Sequence, residues 1–154
     1  MKLVLDTNVV MELLHYRDPR SAALMHAITE GRVTCFTDTR CLAELQRVFA
    51  YPQFRLEAAA QHVLYAQYLG MAGTIDEAPI DTPLPKCRDT DDQKFMEVAA
   101  RCGADLLVTR DKELLRLARS RARPAPFGIV IPEKAIAAFS TMAPLPPETQ
   151  ETAA

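Results

Sequence analysis

The sequence contains no apolar run long enough to cross a membrane, no cysteine pair in CxxC spacing and no excess of basic charge. Each absence removes a class of protein. The N-terminal MKLVLDTNVV holds a very short apolar run interrupted by an aspartate, which reads as neither a signal peptide nor a membrane span. A cytoplasmic location with no membrane partner is therefore expected. Cys35, Cys41, Cys87 and Cys102 are scattered and are expected to stay reduced, as small core or surface residues. A formal net charge of -2 excludes a protein that grips nucleic acid by bulk electrostatics. A nucleic-acid substrate would have to be held by a local basic patch and by bound metal. One segment offers such a patch, with Arg110, Lys112, Arg116, Arg119, Arg121 and Arg123 crowded together. A phosphate- or partner-binding face and a solvated helix face fit it equally well.

What is present is the composition of an ordinary globular domain, 49% apolar and 25% charged over 154 residues. Residues 1–140 are expected to form one domain, and residues 141–154 a flexible tail too rich in proline and polar groups to pack. KLVLD at 2–6 is a short apolar run ending in an acid, the form of a buried parallel strand whose last residue emerges at the sheet's carboxyl edge. VTCF (33–36), LLVT (106–109) and GIVI (128–131) read as further strands. Between them lie helical patterns: Val9 to Leu14, a second opened by Asp18-Pro19 and stopped at Gly31, and a third capped within Thr37–Thr39 and ended by Pro52. Others run from about Leu56 to Leu69, from residue 90 to Gly103, over DKELLRLARS, and from Pro132 to Phe139. Gly70, Gly73 and the proline-bearing segment 78–90 read as the longest irregular connection. Alternating strands and helices define an α/β protein with a parallel sheet covered on both faces, which binds ligands at the carboxyl ends of its strands.

That rule directs attention to acids. Asp6 and Asp111 each stand just past an apolar strand, in LVLDTNV and LLVTRDKELL, and converge if those strands are neighbours at the switch point of the sheet. On the helix carrying Leu42, Leu45, Val48 and Phe49, Glu44 lies roughly 100° from the centre of the apolar stripe, on its border. Asp92 opens the helix that carries Phe95 and Met96, where the helix dipole tolerates a negative charge. Four carboxylates together suit hard divalent cations, which prefer oxygen ligands and can activate water at a phosphodiester. Other roles are open at each position. Asp89, Thr90, Asp91 or Asp92 can cap a helix, Thr90 with Gln93 fits a capping box, Asp111 can cap the helix after it, and Glu44 can be a surface charge.

LDTNV at 5–9, LAELQRVFAYPQF at 42–54, DTDDQKFMEVAARCGAD at 89–105 and LLVTRDKELL at 106–115 resemble, in order, the motifs of PIN-domain proteins. They are most similar to the VapC-like subfamily regarded as toxin components of toxin–antitoxin systems. The resemblance implies a three-layer α/β/α fold with a central parallel sheet of four to five strands, and Mg²⁺- or Mn²⁺-dependent hydrolysis of RNA to 5′-phosphate and 3′-hydroxyl ends. It implies Asp6, Glu44, Asp92 and Asp111 as the catalytic and metal-binding acids, with Asp92 preferred to Asp89 and Asp91 because it stands three residues before the first core-facing residue of its helix. Thr7, Asn8 and Thr109 fall at positions of polar support, and Arg110, Lys112, Arg116 and Arg119 are candidate contacts to RNA or a partner. An antitoxin protein and a second copy of the chain are the partners it suggests. Two rival readings are a non-catalytic PIN-fold binding module and a haloacid-dehalogenase-like phosphatase; the latter wants an acid two residues after its first aspartate, where this chain has Asn8.

Overall fold

The computed structural model describes residues 1–142; the expected proline-rich tail, from residue 143 onward, lies outside the described residues. Strand β1 (Lys2–Leu5) buries Leu3, Val4 and Leu5 almost completely. A strand points successive side chains to opposite faces, so burial of consecutive residues requires cover on both. Leu3 and Leu5 enter a core with Val9, Leu24, Leu45, Phe49 and Phe139, whereas Val4 enters a second with Phe95, Met96, Leu107 and Leu114.

Around β1 lie β2 (Thr34–Thr37), β3 (Ala72–Thr74), β4 (Leu106–Val108) and β5 (Gly128–Val130), in the order β3-β2-β1-β4-β5. Every pairing is parallel. From β1 the chain builds outward through β2 and β3, then crosses back to β4 and continues to β5. The direction of winding therefore reverses between β1 and β4, which is where an open parallel sheet leaves a crevice outside its carboxyl ends. The architecture is the expected three-layer α/β/α arrangement, with five strands.

The helices are α1 (Thr7–Met11), α2 (Ala22–Thr29), α3 (Thr39–Phe49), α4 (Ala58–Met71), α5 (Gln93–Cys102), α6 (Lys112–Leu117) and α7 (Pro132–Ser140). Helix α1 runs on as one π-helical turn, Glu12–Tyr16. Helix α3 starts where Asp38, the candidate cap nearest its first turn, accepts from the Cys41 N–H at 2.9 Å. It feeds both cores, Leu42, Leu45 and Phe49 into the first and Cys41 into the second, and so spans the carboxyl edge of the sheet. Helix α5 stops at Gly103, whose φ of +64° is a left-handed cap conformation that glycine adopts without strain.

Some boundaries differ from the sequence reading. Strand β2 begins and ends one residue later than VTCF, and α4 is displaced two residues toward the C-terminus from its expected ends. Strand β3 was hidden inside the expected irregular connection. It is three residues long, contains Gly73 and borrows its stability from pairing with β2 rather than from propensity. Gly73 packs closely there: a Cβ would lie 3.3 Å from the Phe36 ring, which would have to shift slightly to admit it. The Thr90/Gln93 capping box does not form. Asp89 accepts from the Asp91 N–H at 3.0 Å instead, and the Gln93 side chain ties down the long connection through the Cys87 N–H and the Pro85 carbonyl.

Phe95 fills the core beneath the site and is 1% exposed. Phe95→Ala should cost about 3–5 kcal/mol in urea unfolding, whereas Val63→Ala on the open side of α4 should stay within about 0.5 kcal/mol. Equal midpoints for the two variants would contradict this packing.

Candidate active site

Asp6 sits where β1 becomes α1. Its N–H donates to the Val108 carbonyl of β4 at 2.9 Å, and its own carbonyl accepts from the N–H groups of Val9 and Val10, opening the helix. The backbone thus does the capping, and the carboxylate makes no cap hydrogen bond. That carboxylate is nevertheless buried, the residue being only 5% exposed. Its Oδ2 accepts from the Thr109 hydroxyl at 2.7 Å and from the Asn8 amide at 3.3 Å. Thr109 follows β4, so the β1–β4 pairing carries the group that fixes Asp6.

The other three acids line the same cavity. Asp6, Thr7, Asn8, Glu44, Asp92 and Asp111 line an open cleft of about 390 Å³, together with Met11, Tyr16, Val48 and Phe54. Asp111 has a double role: its Oδ1 caps α6 by accepting from the N–H groups of Glu113 (2.7 Å) and Leu114 (3.3 Å), and the residue still faces the cavity. Asp111 therefore caps α6, as one reading of the sequence allowed, and lines the cavity as well. Thr109 ties it to Asp6, since the Thr109 hydroxyl oxygen accepts from the Asp111 N–H at 3.0 Å. Asp92 ends the short 3₁₀ turn Thr90–Asp92 at the mouth of α5 and faces the cavity, whereas Asp89 is used as the cap of that turn and Asp91 is exposed.

Glu44 occupies its border position on α3 and is only partly exposed. One oxygen accepts from the Thr7 hydroxyl, the other from Lys94 Nζ at 2.9 Å. Lys94 was not singled out in the sequence. Its side chain is 11% exposed, and Nζ also donates to the Asp91 carbonyl at 2.6 Å. The available signal was its place in the first turn of α5, two residues beyond Asp92, where a lysine finds no favourable helix dipole and needs an acid to face.

The charges work against one another. Burial, reinforced by the charges of Glu44 and Asp111, pushes the Asp6 carboxyl up to about 6 despite the Thr109 hydrogen bond. Burial and the charges of Asp6, Asp111, Asp89 and Glu44 push Asp92 up to about 7. Burial first and the neighbouring charges second thus make Asp6 and Asp92 hold their protons more tightly, and a hard cation bound among the acids would offset both effects. The donor set is all oxygen and fits such a cation in kind. Among the described residues, though, no three His, Cys, Asp or Glu side chains already stand arranged around a metal position. Glu44 is drawn off by Thr7 and Lys94.

The basic segment is less free than its sequence suggested. Arg110 is withdrawn from it: the guanidinium binds Glu12 and also Glu133, the latter at 2.8 Å. The physical reason is Glu12, an acid 7% exposed inside an apolar run, which requires a counter-charge and also accepts from the Ser21 hydroxyl. Arg116 pairs with Glu113 at 3.4 Å, while Lys112, Arg119, Arg121 and Arg123 are exposed.

A parallel sheet whose first strand delivers an aspartate to a crevice shared with three other acids is the arrangement of a nuclease-class fold. The family comparison agrees: residues 2–113 match the model of the PIN domain, and the chain belongs to that family. PIN domains are generally nucleases and typically use divalent metals. The chain is 26% identical over 117 residues to an uncharacterized protein of Methanocaldococcus jannaschii, covering 76% of this chain and 75% of that one. No solved structure gives a significant match. No helix among the described residues is long and apolar enough to cross a membrane.

The raised carboxyls set a pH dependence opposite to the usual one for acids. Between about pH 4 and 7 the folded protein holds protons on Asp6 and Asp92 that the unfolded chain has released, so stability falls as pH rises through that window. Melting of the metal-free protein should therefore move to lower temperature from pH 5 to pH 8, Mn²⁺ should restore it at pH 8, and Asp6→Asn should flatten the slope. A melting temperature that is independent of pH and of Mn²⁺ would contradict this electrostatic account.

Proposed function

We propose that the protein is a Mg²⁺- or Mn²⁺-dependent endoribonuclease, acting as the toxin of a toxin–antitoxin pair. The observation that carries the hydrolytic reading is the convergence of Asp6, Glu44, Asp92 and Asp111 on one cavity at the β1–β4 switch point. RNA as substrate and the toxin role rest on the resemblance of LDTNV, LAEL, DDQKF and VTRD to the motifs of that subfamily.

Asp6, Asp92 and Asp111 would hold the divalent cation, with Glu44 available once it turns from Lys94. When bound, such a cation supplies charge neutralisation at the phosphate and an acidified water. The rest is the work of the chain. Thr109 donates to Asp6 Oδ2 and orders the Asp111 backbone, so one hydroxyl sets two of the acids relative to each other. Asn8 reinforces Asp6 through its amide. Asp111, anchored by two N–H groups of α6, cannot swing away. Lys94 orients Glu44 and offsets part of the negative field before substrate arrives.

One observation favours a second reading, a non-catalytic binding module: the Lys94–Glu44 pair at 2.9 Å already engages one of the four acids and makes it less available to a cation. A phosphatase of the haloacid-dehalogenase type gains no such support, since Asn8 serves as a donor to Asp6.

Purified protein should cleave RNA in Mn²⁺ and not in EDTA, and Asp6→Asn should lower the rate by at least ~10³-fold, about 4 kcal/mol of barrier, without loss of fold by circular dichroism. Undiminished metal-dependent cleavage by Asp6→Asn would remove Asp6 from the chemistry, and metal binding without cleavage of any RNA would favour the binding module.

A further inference from the structure

The cavity has one wall that is not acidic. Tyr16 and Phe54 line it beside the carboxylates, and they belong to a larger group of rings. His15 meets Tyr16 at 4.7 Å and Phe54 at 5.3 Å, Tyr16 meets Phe54 at 6.2 Å, and Tyr51 lies nearly parallel to Phe54, 11° between planes and 6.4 Å between centroids. Tyr16 is 62% exposed and Tyr51 46%. Large rings left this open at the edge of a charged cavity contribute little to the core, and their exposure costs solvation.

The backbone goes to some trouble to present them. Tyr16 ends the π-helical turn Glu12–Tyr16, and Phe54 ends the 3₁₀ turn Pro52–Phe54. Each is followed by an exposed arginine in left-handed backbone, Arg17 with φ of 48° and Arg55 with φ of 51°. Each left-handed residue closes its helical turn, the Arg17 N–H donating to the Glu12 carbonyl and the Arg55 N–H to the Pro52 carbonyl. Aromatic followed by left-handed arginine thus occurs twice, on two separate elements that meet at the same cavity wall.

We propose that Tyr16, Tyr51 and Phe54 form a stacking subsite for an unpaired base of the nucleic acid whose backbone enters the acid cavity, with Arg17 and Arg55 available to the phosphates beside it. This rests on the nuclease reading of the cavity. Stacking answers a need that charge alone leaves unmet. The chain carries a net charge of -2, the cavity itself is acidic, and Arg110 is committed to Glu12 and Glu133. A planar ring binds any base through its π-face, and the contact needs no charge on the protein. A paired base in a duplex has no free face to offer, so the subsite selects single-stranded segments.

The test compares two fluorescein-labelled probes of equal length and charge, a 12-nucleotide oligouridylate and a 12-unit abasic phosphate chain, by anisotropy with Ca²⁺ in place of Mg²⁺. The wild-type protein should prefer the oligouridylate by about tenfold or more. Tyr16→Ala combined with Tyr51→Ala should abolish the preference, and Tyr16→Phe should retain it. Both rings are largely exposed, so the variants should keep the wild-type melting temperature. Equal binding of the two probes by wild type, binding of neither, or a preference that survives the double substitution overturns the subsite. If the double variant instead alters sedimentation while the preference persists, the rings serve a protein interface and the proposal fails. Because no cleavage is measured, a failed Asp6→Asn experiment would overturn the nuclease reading without deciding this result.

Discussion

The structure is organised around a carboxylate placed where water barely reaches it. Asp6 is fixed by backbone on three sides: Leu5 is held in β1, the Asp6 N–H is bonded to β4, and its carbonyl starts α1. The side chain has no freedom to escape toward solvent. Burial of a charge at this depth is costly unless it is paired, and here the partners are two neutral donors and three further acids. The result is a site under electrostatic tension, which the raised protonation of Asp6 and Asp92 expresses directly. Tension of this kind is the physical basis of affinity for a small hard cation.

The remaining charged groups keep that tension local. Two cations that might have discharged the cavity are placed with care. Arg110, next to Asp111 in sequence, is turned to Glu12 and Glu133, joining the loop after β4 to the turn after α1 and to α7. Lys94 is shared between Glu44 and a backbone carbonyl, so it tempers one acid and leaves Asp6, Asp92 and Asp111 lining the cavity without a cation of their own among the described residues. Removing Arg110 would leave the buried Glu12 carboxylate without its main counter-charge, whereas removing Glu12 would leave Arg110 paired with Glu133; this gives Arg110 a structural weight that exposed pairs such as Arg116–Glu113 lack.

Much of this was legible before any coordinates. An apolar run of consecutive buried residues ending in an acid specifies a covered parallel strand and the position of Asp6, because burial on both faces leaves only the strand's end for a charge. The border angle of Glu44 on α3 was likewise readable from helical geometry, the cap of α3 was narrowed to Thr37, Asp38 or Thr39, and Gly103 was marked as a stop by its chemistry. Strand β3 was not legible, since three residues including Gly73 carry no periodicity and exist as a strand only because β2 offers an edge. Lys94 and Glu12 were missed for a related reason. Their importance lies in partners 50 and 98 residues away, and pairings at such separations leave no local pattern. The aromatic wall was hidden in the same way, as Tyr16 and Phe54 meet only through the fold.

The proposed function requires the four acids to form a cation site at the switch point of the sheet. Diffraction from crystals grown in Mn²⁺, measured at an energy where manganese scatters anomalously, tests it without reliance on any substrate. A manganese peak is expected about 2.0–2.5 Å from an Asp6 carboxylate oxygen, with Asp92 or Asp111 as a further ligand. An anomalous map that is blank in this cavity at saturating Mn²⁺, with Lys94 still paired to Glu44, would contradict it.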